Sequence, residues 1–166
     1  MDDLAKVILK ELLPAEKPAA TSSAKSQNRE DALDHLASPV LLERAAYLRK
    51  LAKLGDGVAS EVLKEYPLHA IHLLVRNRNG IAEQHEKFAD IFFVLEGRAA
   101  LVTGGAIANA RTIAPGETRG DSVEGGARQE LRAGDVAHVP AGLPHQMVVG
   151  GDTSVTCLVV KVQQIV

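Results

Sequence analysis

The rhythm of apolar and polar positions changes part-way along the chain. Leu4, Ile8 and Leu12 recur at helical spacing and predict a short amphipathic helix over residues 1–13. From Pro14 to Ser26 the chain is rich in Pro, Ala, Ser and Lys without periodicity, so a linker is read near 14–28. Leu41, Ala45, Leu48 and Ala52 then lie close to one helical stripe that needs a surface to pack on. Ser38 suits the N-cap of that helix, Pro39 its first turn, and Gly55 its end. A further short helix is predicted from about Val58 to Glu65, ended by Pro67.

Beyond Pro67 the period shortens to two. His69–Arg76 alternates, Asn79-Gly80 reads as a hairpin turn, and Ile91–Glu96 is apolar before Gly97. Ala99–Thr103, Asp135–Val139, His145–Val149 and Ser154–Val162 predict further strands. Short strands at close spacing, with no helices between them, imply an all-β antiparallel sandwich or barrel. The expected organisation is a helical extension over 1–66 and a β domain over 67–166.

Composition supports the division: all 14 glycines lie at or beyond Gly55, and seven of nine lysines precede Pro67. Apolar residues at 46% provide for a real core. No apolar run is long enough to span a bilayer, and Asp2, Asp3 and Lys6 break any signal-peptide core, so no membrane partner and a cytoplasmic location are expected. One cysteine excludes a disulfide framework and any multi-thiolate metal site; Cys157 reads as a small buried hydrophobe. With a net charge of −2 and 3% aromatics, nucleic acid is not an expected partner. A helix-turn-helix over 38–66 fails for the same reason, since its second helix would carry Glu61 and Glu65 against a single lysine.

The chemistry concentrates in four residues. On a strand, Glu83 and His85 share a face, roughly 6.5–7 Å apart at the backbone. Asp90 opens the apolar strand shortly after them, and His145 follows the stiff turn Pro140-Ala141-Gly142-Leu143-Pro144. Two imidazoles and two carboxylates suit a divalent transition metal (Mn, Fe, Ni or Zn) rather than Cu(I). Phe92 and Val94 share the parity of Asp90, and Met147 that of His145, so these three are expected to line the pocket, with His72 at its mouth beside Arg76. His35, His69 and His138 read as ordinary surface or structural histidines. The glycine-rich segment Gly116–Gly126 lacks the pattern of a phosphate loop and reads as an inserted hairpin or lid near the barrel mouth.

Residues 80–97, GIAEQHEKFADIFFVLEG, resemble the first signature motif of the cupin superfamily, and residues 134–149, GDVAHVPAGLPHQMVV, resemble the second. Gly97, Gly134, Pro140, Gly142 and His145 fall in register, and His85 takes the place of the first motif's second histidine. The resemblance implies a cupin-type barrel, the double-stranded β-helix or jelly roll, here preceded by short N-terminal helices. Glu83 stands where the family's first histidine would be, Asp90 where its glutamate would be, and Val149 where its asparagine would be. The implied function is a divalent-metal-dependent enzyme acting on a small oxygen-rich molecule, of dioxygenase, isomerase, lyase or decarboxylase type. Glu83, His85, Asp90 and His145 would be its ligands, and Glu83 or Asp90, if not ligated, its general base. The alternative is a non-catalytic small-molecule binding or sensing barrel with a degenerate metal site. A homodimer through the helices is expected in either case.

Overall fold

The computed structural model describes residues 35–164; the expected helix over 1–13 and the linker near 14–28 lie outside them. Helix α1 spans Ser38–Leu54. Its N-cap is Ala37 rather than Ser38, without a side-chain cap, so Pro39 in the first turn is the start signal that operates. The Gly55 amide closes the helix on the Leu51 carbonyl. The four stripe residues Leu41, Ala45, Leu48 and Ala52 are all buried.

Strand β1, Val58–Glu65, is where a short helix was expected. It pairs antiparallel with β2, His69–Arg76, over nearly its whole length, with a bulge between Val62 and Lys64. Its residues fit period two as well as 3.6: Ala59 and Leu63 turn toward α1, while Val58 and Ser60 face a cavity. A backbone ladder to β2 therefore decides between two local patterns of similar strength. Ala45, Leu48 and Ala52 pack with Leu73 and Val75 of β2. Fully burying a leucine such as Leu73, 0% exposed, contributes about 2 kcal/mol.

The remaining strands are β3 (Ala82–His85), β4 (Phe88–Thr103), β5 (Ala106–Ile107), β6 (Arg111–Ala114) and β7 (Glu117–Gly120). After them come β8 (Val123–Glu124), β9 (Ala127–Arg132), β10 (Val136–Val139), β11 (His145–Val148) and β12 (Val155–Gln163). The main sheet runs β1-β2-β12-β4-β11-β3-β7-β6, with β9 and β10 also on β4, while β5 and β8 pair separately. Every pairing among the described residues is antiparallel.

Two expected strands, Ile91–Glu96 and Ala99–Thr103, are the single strand β4. Its first half lies between β12 and β10, its second between β11 and β9, so it passes from one half of the barrel to the other. Gly97 sits at the crossing with φ +77°, and a Cβ there would lie 1.9 Å from the Ser154 carbonyl oxygen. Asn79-Gly80 is not a hairpin turn, because β2 and β3 do not pair. It ties to the end of β11 instead: the Gly80 amide donates to the Met147 carbonyl, and the Asn79 side chain accepts from the Val149 amide. The main core includes Phe92, Val94, Met147, Cys157 and Val159. Phe93, of opposite parity, is half-exposed, and Leu95 packs under α1. Among the described residues no helix is long and apolar enough to cross a membrane.

Candidate metal centre

Strand register brings the distant candidates together. His145 on β11 lies opposite Glu83 on β3, and Glu117 on β7 lies opposite His85. Lys161 on β12 lies opposite Asp90 on β4. Paired residues on one face of an antiparallel ladder have Cβ atoms about 4.5–5.5 Å apart, which leaves their side chains to converge. Glu83, His85 and His145 each offer a ligand atom within 4.8 Å of the others. Asp90 Oδ2 lies 3.4 Å from His85 Nε2 and 3.5 Å from His145 Nε2, while Glu83 Oε2 is 3.4 Å from His85 Nε2. His85, Asp90 and His145 are buried, and Glu83 is partly so.

The ring orientations are fixed from behind. His85 Nδ1 donates to Glu117 Oε2 at 2.7 Å, and His145 Nδ1 donates to the Leu143 carbonyl at 3.2 Å. With Nδ1 engaged on the back of each ring, Nε2 is the nitrogen left to face the centre. Anchoring of this kind is the usual support of a metal-ligating histidine. The Leu143 carbonyl belongs to the stiff turn before β11, which explains why that turn precedes His145.

The centre attracts positive charge. Burial works to raise the Glu83 pKa, but the hydrogen bond with His85 and the charge of Arg119 outweigh it and hold the carboxyl down at about 2. Burial likewise opposes ionisation of Asp90, and its contacts with His145, His85 and Lys161 prevail, leaving it well below the usual carboxylate range. Burial lowers the affinity of His85 for a second proton, yet Asp90 and Glu83 raise its pKa to about 9. Lys161 Nζ, however, lies 2.9 Å from His85 Nε2 and 2.7 and 2.9 Å from the two Asp90 oxygens. An ammonium and a ring N–H cannot both point along that edge, so the cluster is held either by Lys161 donating to a neutral His85 Nε2 or by an imidazolium donating to Asp90 and Glu83.

Glu83, His85 and His145 form a set that could hold a divalent ion, with Asp90 beside it. Bonds of about 2.1 Å in a tetrahedral site give ligand–ligand edges of about 3.4 Å, and the three separations above are 3.4, 3.4 and 3.5 Å. A bare imidazole nitrogen facing a carboxylate oxygen is also two lone pairs in opposition, which a cation between them relieves.

Beside the centre lies a cavity of about 190 Å³. His72, Phe92 and Met147 line it, and Val94 packs in the core. Arg76 lines it too. Its guanidinium packs against Gly80, 3.1 Å from where a Cβ would be, and among the described residues its buried Nε finds no acceptor.

Comparison with known proteins agrees with the architecture. A family model described as "Cupin domain" matches residues 110–161, which include the second motif. The crystal structure of TT1209 from Thermus thermophilus superposes with a TM-score of 0.53 at 17% identity, covering 75% of this chain and 95% of that one. The barrel has the cupin fold, and its second half matches the cupin model. A predicted oxalate decarboxylase from Thermotoga maritima is similar at 16% identity and TM-score 0.49, over 64% of this chain and 81% of its own. A conserved double-stranded β-helix protein from Klebsiella pneumoniae gives 17% and 0.48, over 64% and 76%. No curated protein matches the sequence.

Several residues around this centre leave little local signal in the sequence. Glu117 and Arg119 come from the segment read as an inserted hairpin or lid, which instead pairs with β3 as part of the wall. Arg119 reaches Glu117 at 3.1 Å and Glu83 at 3.6 Å, and Arg76 reaches Glu83 at 3.6 Å. Lys161 did leave a signal: Val155, Cys157, Val159 and Lys161 form one alternating row, and a lysine in an inward row is out of place.

Proposed function

We propose that this cupin is a divalent-metal-dependent enzyme acting on a small oxygen-rich molecule, with Glu83, His85 and His145 holding Mn, Fe, Ni or Zn and Asp90 as the fourth ligand. The observation that carries the reading is the pair of imidazoles, each tied through Nδ1 and presenting Nε2 to a centre shared with two carboxylates. A bound ion supplies Lewis acidity toward a carbonyl or hydroxyl of the substrate. The low pKa of Glu83 and Asp90 keeps both ionised, as ligands must be, and either one, if not ligated, would be the general base. Arg76, which lines the cavity next to Glu83, orients a substrate oxygen, while Phe92, Met147 and Val159 keep that end of the cavity apolar. Dioxygenase, isomerase, lyase and decarboxylase chemistry are all compatible with this arrangement.

Elemental analysis tests the reading directly. Protein purified without added ions, or reconstituted with each of the four metals, is expected to carry about one transition-metal ion per chain, the number a single four-ligand centre holds. Protein that stays metal-free after reconstitution would remove the enzyme reading. Glu117→Ala should weaken metal affinity about 10- to 100-fold, as loss of an outer-shell carboxylate does; a chelator competition that finds no change would reduce Glu117 to a neighbour.

The second reading, a binding or sensing barrel without turnover, has its own support in the ammonium already lodged among the donors. Bound metal with no turnover of small carboxylates, diketones or sugars would favour it. A homodimer through α1 belongs to both readings. Among the described residues Tyr47 and Leu54 stay exposed on the outer helix face. Light scattering at micromolar concentration should give the mass of two chains, and a monomer would dismiss assembly through the helix.

A further inference from the structure

The inward row of β12 reads Val155, Cys157, Val159 and then Lys161, the first three buried in the core. Lys161 does not turn out to solvent at that point. Its Nζ donates to both oxygens of Asp90 and to His85 Nε2, and only 29% of its side chain is exposed. Two of the groups it engages are groups that a divalent ion needs. The nitrogen of His85 has one lone pair, so an ammonium and an ion cannot both hold it.

We propose that Lys161 is a tethered cation that fills the centre when no ion is bound and competes with the ion for His85 and Asp90. The inference rests on the reading of this cluster as a metal site. In the lysine-held state the Asp90 carboxylate, 4% exposed, has a cationic partner, so the ion-free barrel is spared an unpaired buried charge. In the ion-held state the ammonium leaves His85 and swings on its four-carbon stem toward the two cavities it already borders. The ion must break charge-assisted hydrogen bonds before it binds, so Lys161 sets the metal affinity below what the four ligands alone would give.

Calorimetric titration of zinc into the metal-free full chain tests this in the wild type, Lys161→Met and Lys161→Arg. Lys161→Met should bind zinc at least about tenfold more tightly, the factor expected when a charge-assisted hydrogen bond no longer has to be broken first. Lys161→Arg, which keeps the cation, should stay near the wild type. Equal affinities in the wild type and Lys161→Met would overturn the proposal and leave the metal site standing. Failure of both to bind zinc would remove the metal site and the proposal with it. Should Lys161→Met not fold without metal, amine labelling of the wild type read by mass spectrometry answers the same question. Saturation with zinc is expected to speed labelling of Lys161 severalfold while Lys50 and Lys53, exposed on α1, stay unchanged. Labelling of Lys161 that zinc leaves unchanged or slows would overturn the proposal.

Discussion

Replacing His145 by alanine is expected to lower the affinity for zinc or manganese at least about a hundredfold while the barrel stays folded. A structural zinc site is worth about 10–16 kcal/mol over four ligands, so one ligand accounts for roughly 3 kcal/mol, or about two powers of ten. His145 is the ligand to remove because its other attachment is modest, a single hydrogen bond of 3.2 Å from Nδ1 to the Leu143 carbonyl. His85 is bound on both sides, by Glu117 and by Lys161, and its loss would disturb the metal-free cluster as well. Calorimetric titration reads the affinity, and circular dichroism with a melting curve confirms the fold. A folded His145→Ala protein with wild-type affinity would show that the ion, if bound, sits elsewhere.

Gly97→Ala is the substitution expected to cost most in stability, about 3 kcal/mol or more. Two effects add there. A φ of +77° disfavours any side chain, by roughly 1–2 kcal/mol, and the new methyl would meet the Ser154 carbonyl oxygen at 1.9 Å. The second effect dominates, because the obstacle is backbone of the neighbouring segment and cannot rotate away; overpacking of this kind adds about 1–3 kcal/mol. Gly134→Ala provides the comparison: its φ is +94°, but nothing lies within 4 Å of the new atom. Urea unfolding should therefore show a much larger drop in midpoint for Gly97→Ala than for Gly134→Ala. Equal drops would mean that backbone conformation alone, and not the close approach of Ser154, requires glycine at the crossing.

What could be read in the sequence was whatever a single segment states by itself. The stripe Leu41, Ala45, Leu48 and Ala52 is buried as its spacing predicts, because a helix 17 residues long carries a full period several times over. The alternation of β12 and the turn before His145 were legible for the same reason. Val58–Glu65 was not, since eight residues satisfy either period and the choice is made by a ladder to β2. Four candidate site residues, Glu83, His85, Asp90 and His145, do meet. Their company did not show in the sequence: Glu117 and Lys161 stand opposite His85 and Asp90 only by virtue of strand register, which no local pattern records. Val94 was placed at the cavity by parity alone; parity gives the face of a strand but not the depth along it.

The long strand β4 carries a consequence for how the molecule comes apart. Its two halves each hold a neighbour on both edges, and Asp90 sits on the first half while the partners of His145 sit on the second. Neither half of the barrel can peel away without surrendering backbone pairs in the same strand, so local openings that would expose the site one side at a time are suppressed. The slowest-exchanging amides should gather along this strand, and the donor cluster should survive intact until the whole domain unfolds cooperatively.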